Sequence, residues 1–430
     1  MSSLRRLLSR DLVRAGVVTY VFSGVTLIAN LVTGIVVARA LGPHGRGVTI
    51  ALVTVAQLAG FLFAGGAAQS LSYFIARRPE DGPRLLTTWT LMLLPLAAVA
   101  IGITELLLPT IFSTDGSEAV EIGRWFMFII LIVIGLELNY GLLLGIKDYL
   151  AYNVLRMAPG VLAALTLIAL WALGELTIKS TLIGTNLAYL LCLAIGMVRA
   201  VRRIGVGPVD MQLGLTSLWF GVRGEGSTVA SNVTARLDVA MLPAYVTASQ
   251  VGLYSVATNI SLIVYQLSNT FAGLVIPAAA SDTERSRVKV IGSLWGSLAV
   301  AAIMAAVLAV FARPLLGLVY GDRFRDAAEP LLLLLPGAVL FAGSAILGAG
   351  VIAAGRPFTA TFVQVIGMVV TILGLVTFLG TGGITAAALV STASYSTVFV
   401  AMLIAYKRVT NTPWRAFLPS PRRVRELTAD

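Results

Sequence analysis

Residues 221–244 read GVRGEGSTVASNVTARLDVAMLPA. The stretch is long enough to cross a bilayer, yet it carries Arg223, Glu225, Arg236 and Asp238. Its surroundings decide how to take it. Of the 430 residues, 58% are apolar and 12% charged, with a mean hydropathy of +0.92. Soluble domains run at about 45–50% apolar and about 25% charged. A soluble interior of this size could not hide so much apolar surface. The chain reads as an all-α polytopic membrane protein. A helix needs roughly 20 residues to cross roughly 30 Å of hydrocarbon. About twelve segments meet that length: 15–38, 48–75, 85–108, 124–146, 153–173, 180–198, 220–243, 252–277, 290–312, 328–351, 358–379 and 383–406. The charged segment is the seventh.

A repeat requires that seventh span. Shifted by about 205 residues, the spans fall on one another, as in transporters built from internal repeats. Gly47 then aligns with Gly252, and a small–Gly–basic loop closes the fourth span of each half, around Lys147 and around Arg356. Six spans per half is an even number, so the halves keep one orientation. The expected lobes are 1–203 and 204–408, followed by a short basic tail at 409–430.

The net charge of +11 lies in short clusters between apolar runs, which points to topology and away from nucleic acid. Basic residues concentrate on the side of the N-terminus, in the loops at 77–84, 147–156, 199–203 and 285–289 and after Lys407. The opposite side keeps Arg39, Arg46, Arg124, Lys179, Arg313, Arg323 and Arg325. Cytoplasmic loops are the Lys/Arg-rich ones, so both ends are expected in the cytoplasm. The basic start runs into a full-length span and reads as a retained first helix.

Enzyme chemistry finds little support. His44 is the single histidine and Cys192 the single cysteine, so neither a metal cluster nor a disulfide is expected. No GxSxG, P-loop or HExxH motif occurs.

Intramembrane charges mark functional sites by default, because they face a bundle interior or a water-filled cavity. At about 100° per residue, Glu225, Asn232 and Arg236 fall near one face, with Arg223, Ser227 and Asp238 on an adjacent one. A guanidinium stays charged and can fork onto phosphate oxygens, so Arg236 is the first candidate for an anion, with Arg223 and Asn232 beside it. Arg39 at the end of the first span and Asn30 within it complete the candidate binding set. Asp238, Glu137 and Glu225 are candidates for proton or sodium coupling. The bland alternative is that these charges neutralise one another inside the bundle. The cluster Gly65–Gly66–Ala67–Ala68 reads as a close-packing or bending site.

The text at 36–60 (VVARALGPHGRGVTIALVTVAQLAG), 67–78 (AAQSLSYFIARR), 236–261 (RLDVAMLPAYVTASQVGLYSVATNIS), 318–341 (LVYGDRFRDAAEPLLLLLPGAVLF) and 351–358 (VIAAGRPF) resembles the Wzx-like flippases. These form the polysaccharide-export branch of the multidrug/oligosaccharidyl-lipid/polysaccharide (MOP) exporter superfamily, whose members share a MATE-like fold. The resemblance implies two parallel-related six-helix lobes and a bacterial plasma membrane location. It implies a polyprenyl-diphosphate-linked oligosaccharide as the substrate, flipped from the cytoplasmic to the outer leaflet, with no cofactor. Contacts with bilayer lipids and with a polysaccharide polymerase or glycosyltransferase go with it. Arg236 would fit the arginine role, and Asp238 and Glu137 coupling roles. The alternatives are a cation-coupled exporter of small amphiphiles and a non-transporting membrane scaffold.

Overall fold

The structure is a computed structural model and describes residues 2–114, 117–279 and 283–417. The last part of the expected tail, 418–430, lies outside the described residues. Among the described residues the regular structure is helical throughout. The chain forms two compact units, Met1–Gly226 and Ser227–Asp430.

The first unit holds α1 (Ser2–Phe63), α2 (Ala67–Arg77), α3 (Gly82–Ile111), α4 (Ser117–Phe126), α5 (Ile129–Gly145), α6 (Tyr149–Ala172) and α7 (Ile178–Ile204). It ends within α8 (Met211–Met241). The second unit holds the rest of α8 with α9 (Ala248–Ala279), α10 (Thr283–Tyr320), α11 (Ala328–Ala353) and α12 (Pro357–Thr410). A division at 203/204 would fall at the end of α7, whereas the units part at 226/227.

Among the described residues, eight helical segments are long and apolar enough to cross a membrane. Two of them, Val21–Arg77 and Pro357–Thr410, run for 57 and 54 residues. At about 1.5 Å per residue either one exceeds the thickness of a single crossing. Sequence reading places two spans in each. Each of α1 and α12 holds two helices that meet at a sharp kink with no loop between them, at Gly42 (φ 67°) in α1 and at Gly383 (φ 52°) in α12. Only glycine adopts such a φ at little steric cost, so the bends sit at these residues. The expected span 48–75 is interrupted in its turn by Gly65 (φ 56°) and Gly66 (φ 69°).

One helix is central to each unit. The apolar stretch Glu118–Gly145, which ends in α5, and the stretch Asp322–Ala353, which ends in α11, each bury 67% of their most apolar window. No other candidate span buries more than 33%. Helix α5 packs on α1, α2, α3, α6 and α7, and α11 on α9, α10 and α12. Both end in the same cap. Asp148 N–H bonds to Leu143 O (2.9 Å) and Lys147 N–H to Leu144 O (3.0 Å). In the second unit Arg356 N–H bonds to Val351 O (3.2 Å) and Gly355 N–H to Ile352 O (2.9 Å). This paired pattern closes a helix on a left-handed residue, here Lys147 (φ 60°) and Gly355 (φ 78°). Asp148 then caps α6 by accepting from Ala151 N–H on Oδ1, while its Oδ2 accepts from both Nε and Nη2 of Arg199 (2.9 and 2.7 Å).

Candidate functional site

The charged segment 221–244 belongs to α8, and α8 is fixed from its first residue. Asp210 accepts from Leu213 N–H (2.9 Å), an N-cap bond that satisfies an otherwise orphan donor. Asp210 N–H in turn donates to Thr88 Oγ1 of α3 (2.9 Å). A row of small residues then lies against the first unit. Gly214 sits against Thr88 and Met92. Ser217 accepts the indole N–H of Trp89 (2.8 Å), and its carbonyl accepts from Ser70 (2.6 Å). Gly221 meets the backbone of Gly65 and Gly66, and Gly224 meets Gln69. Small residues allow this backbone approach, and the left-handed turn at Gly65–Gly66 is where the partner backbone comes close.

The expected polar face of this helix is divided. Arg223 and Glu225 belong to the first unit, and Asn232, Arg236 and Asp238 to the second. Arg223 is exposed. Glu225 is half-buried, and its charge reaches Glu137 of α5, which also feels Arg156 of α6. Glu137 is therefore neither isolated nor matched by one cation. Tyr140, one turn on, lies in the same field with Tyr152, Arg156 and Tyr189.

In the second unit Asp238 is fully buried. Its carboxylate accepts from Tyr254 OH of α9 (2.5 Å), from Ser391 Oγ of α12 (2.9 Å) and from the Val239 N–H (2.7 Å). Arg236 is half-buried, and its charge acts on Asp238 and on Tyr395. Tyr395 closes a ring stack in which Phe341 lies between Tyr265 (4.4 Å) and Tyr395 (4.5 Å). Asn232 Nδ2 donates to Thr228 O of its own helix (2.9 Å).

The two first-span candidates lie elsewhere. Asn30 is exposed, and its Oδ1 faces Gly160 of α6. Arg39 is exposed just before the Gly42 bend. The structure thus brings Glu137 near Glu225, and Arg236 near Asp238. Sequence reading missed Tyr254 and Ser391 because no helical spacing relates them to Asp238. It also missed Tyr152 and Tyr189, which look like ordinary span residues, and read Arg156 only as a basic residue of a cytoplasmic loop. Among the described residues no group of three or more His, Cys, Asp or Glu is placed to hold a metal ion.

Comparison with known proteins adds a family. Residues 12–281 match the model of the family described as polysaccharide biosynthesis protein. The probable low-salt glycan biosynthesis flippase Agl15 of Haloferax volcanii is 23% identical over 175 residues. That match covers 40% of this chain and 37% of the relative, so it spans little more than a third of that protein's length. Among solved structures, the lipid II flippase MurJ in an inward closed conformation superposes with a TM-score of 0.77 at 13% identity, over 96% of this chain and 91% of its own. An inward-facing multidrug resistance MATE family transporter of the MOP superfamily gives 0.75 at 14%, over 92% and 98%. At such identities the likeness is one of fold.

Proposed function

Because the chain belongs to the polysaccharide biosynthesis protein family and carries the fold of the MOP exporters, we propose that it is a flippase. Its proposed substrate is a polyprenyl-diphosphate-linked oligosaccharide, moved from the cytoplasmic to the outer leaflet of a bacterial plasma membrane by alternating access. The proposed topology is twelve crossings in two parallel six-helix lobes, 1–203 and 204–408, with both ends cytoplasmic. The shared caps at Lys147 and Gly355 and the shared central helices α5 and α11 support the repeat behind that topology. The flippases named among the relatives, one of lipid II and one of glycan biosynthesis, support the substrate class.

The observation that carries the reading is α8, a helix of a membrane fold that keeps Arg223, Glu225, Arg236 and Asp238 within its length. Charges in such a helix are costly to hold in lipid and are retained where they meet something polar. Arg236 is the proposed diphosphate ligand, with Arg223, Asn232, Arg39 and Asn30 as further binding residues. Asp238, Glu137 and Glu225 are the proposed coupling groups for a proton or sodium ion.

The test is leaflet transfer of a labelled polyprenyl-diphosphate oligosaccharide in vesicles, with the unaltered protein and with Arg236→Ala. The variant should slow transfer by about tenfold or more, as loss of a charged phosphate contact implies. Equal rates overturn the role of Arg236, and no transfer by the unaltered protein overturns the flippase reading. A second reading, a cation-coupled exporter of small amphiphiles, is favoured by the nearly equal likeness to the multidrug transporter. It requires transport of a lipophilic cation where the sugar lipid is not moved.

A further inference from the structure

Helices α5, α6 and α7 of the first unit bring four polar side chains together around Tyr140. Its ring meets the edge of Tyr152 at 5.9 Å and 84°. Arg156 Nη1 donates to Tyr152 OH (3.3 Å). Tyr189 of α7 packs with Tyr140 and Tyr152 over one buried group, Leu136, Leu143, Leu155 and Cys192. Glu137 stands one turn before Tyr140, within reach of the Arg156 charge. None of the three tyrosines is fully buried, and Arg156 is exposed. The cluster lies near the α5–α6 turn. Glu137 is roughly 12 Å from the end of α5, and Arg156 roughly 10 Å from the start of α6, at about 1.5 Å per residue.

We propose that this cluster is a saccharide-binding subsite, through which the first unit holds the sugar portion of the substrate. The chemistry selects that occupant. A sugar ring offers C–H faces with partial positive charge, which suit the negative faces of tyrosine rings. Its hydroxyls donate and accept at once, so they need an acceptor, Glu137, a donor, Arg156, and tyrosine hydroxyls that do both. A bare diphosphate would meet the repulsion of Glu137 and Glu225, and a lipophilic cation would meet Arg156. A neutral polyhydroxyl ligand satisfies both signs. The proposal rests on the flippase reading and names what part of the substrate each region holds.

The experiment compares two probes in vesicles containing the full chain: a labelled polyprenyl-diphosphate tetrasaccharide and the same polyprenyl diphosphate without sugar. The quantity read is the ratio of their transfer rates. Tyr140→Ala and Tyr189→Ala should each lower that ratio about tenfold, and Tyr140→Phe, which keeps the ring, about two- to threefold. The phenylalanine variant preserves the packing against Leu136 and Leu155, so it reports even where the alanine variants fail to fold. A ratio unchanged in every folded variant overturns the subsite while leaving the flippase reading intact. Absence of transfer of both probes by the unaltered protein overturns the two together.

Discussion

Tyr254 donates its hydroxyl to the carboxylate of Asp238 across 2.5 Å, and so ties α9 to α8 at a point with no exposure to solvent. Ser391 of α12 donates to the same oxygen at 2.9 Å. One carboxylate therefore joins three helices of the second unit. Replacing Tyr254→Phe keeps the ring and removes one donor. A buried acceptor left short of a partner costs about 1–3 kcal/mol. The thermal midpoint of the purified protein in detergent should fall accordingly. An unchanged midpoint would mean that this bond contributes nothing to the fold.

The seam between Gly221 and the Gly65–Gly66 turn leaves no space for a side chain. A Cβ on Gly221 would lie 2.6 Å from Gly65 O and 2.7 Å from Gly66 O. Those neighbours are backbone atoms and cannot rotate away. Gly221→Ala should destabilise the first unit by about 1–3 kcal/mol, the range for overpacking. Gly102→Ala, on α3 with nothing within 4 Å, is the control. It should be neutral or stabilising by up to about 1 kcal/mol from helix propensity. The contrast between the two midpoints is the measurement, and equal effects would refute the close approach.

Lys147 holds the left-handed cap of α5 with a φ of 60°, whereas Gly355 holds the matching cap of α11 with a φ of 78°. A side chain in that conformation costs roughly 1–2 kcal/mol. Lys147→Gly should therefore raise the thermal midpoint, and Gly355→Ala should lower it by a similar amount. Opposite signs in the two variants support the shared cap. A loss in both would show that the lysine side chain contributes more than its backbone strain.

Much of the architecture is legible in the sequence because lipid imposes a simple rule. The long apolar helices follow from length and hydropathy. The bend at Gly65–Gly66 follows from glycine composition, and the turns at Lys147 and Arg356 from local text. What is not legible depends on register between distant segments. Asp238 finds Tyr254 at a separation of 16 residues and Ser391 at 153, and no periodicity relates the three. Arg46 shows the same limit. It looks like an exposed basic residue of an outer loop. In the structure the LGPHGRG segment folds into the bent α1, and Arg46 is 5% exposed with Nη1 on Gly34 O (3.2 Å). The division of α8 between two units also escapes a hydropathy profile, because the helix runs unbroken from Met211 to Met241 across it.

The docking of the first half of α8 on Ser70, Trp89 and the Gly65–Gly66 turn bears on how the chain is made. Helix α8 is not among the segments apolar enough to cross a membrane, and each central charge disfavours insertion by about 2.5–3.5 kcal/mol. A nascent α8 therefore has no reason to leave the translocation channel for lipid. It does have a polar, glycine-lined berth once α2 and α3 are in place. The expected order of biogenesis is assembly of the first unit before release of α8, with the preceding helices acting as its insertion scaffold. A bulky Gly221→Leu substitution should then leave α8 uninserted in a topology assay while α1 to α7 insert normally. Normal insertion of that variant would show that α8 enters the bilayer without the berth.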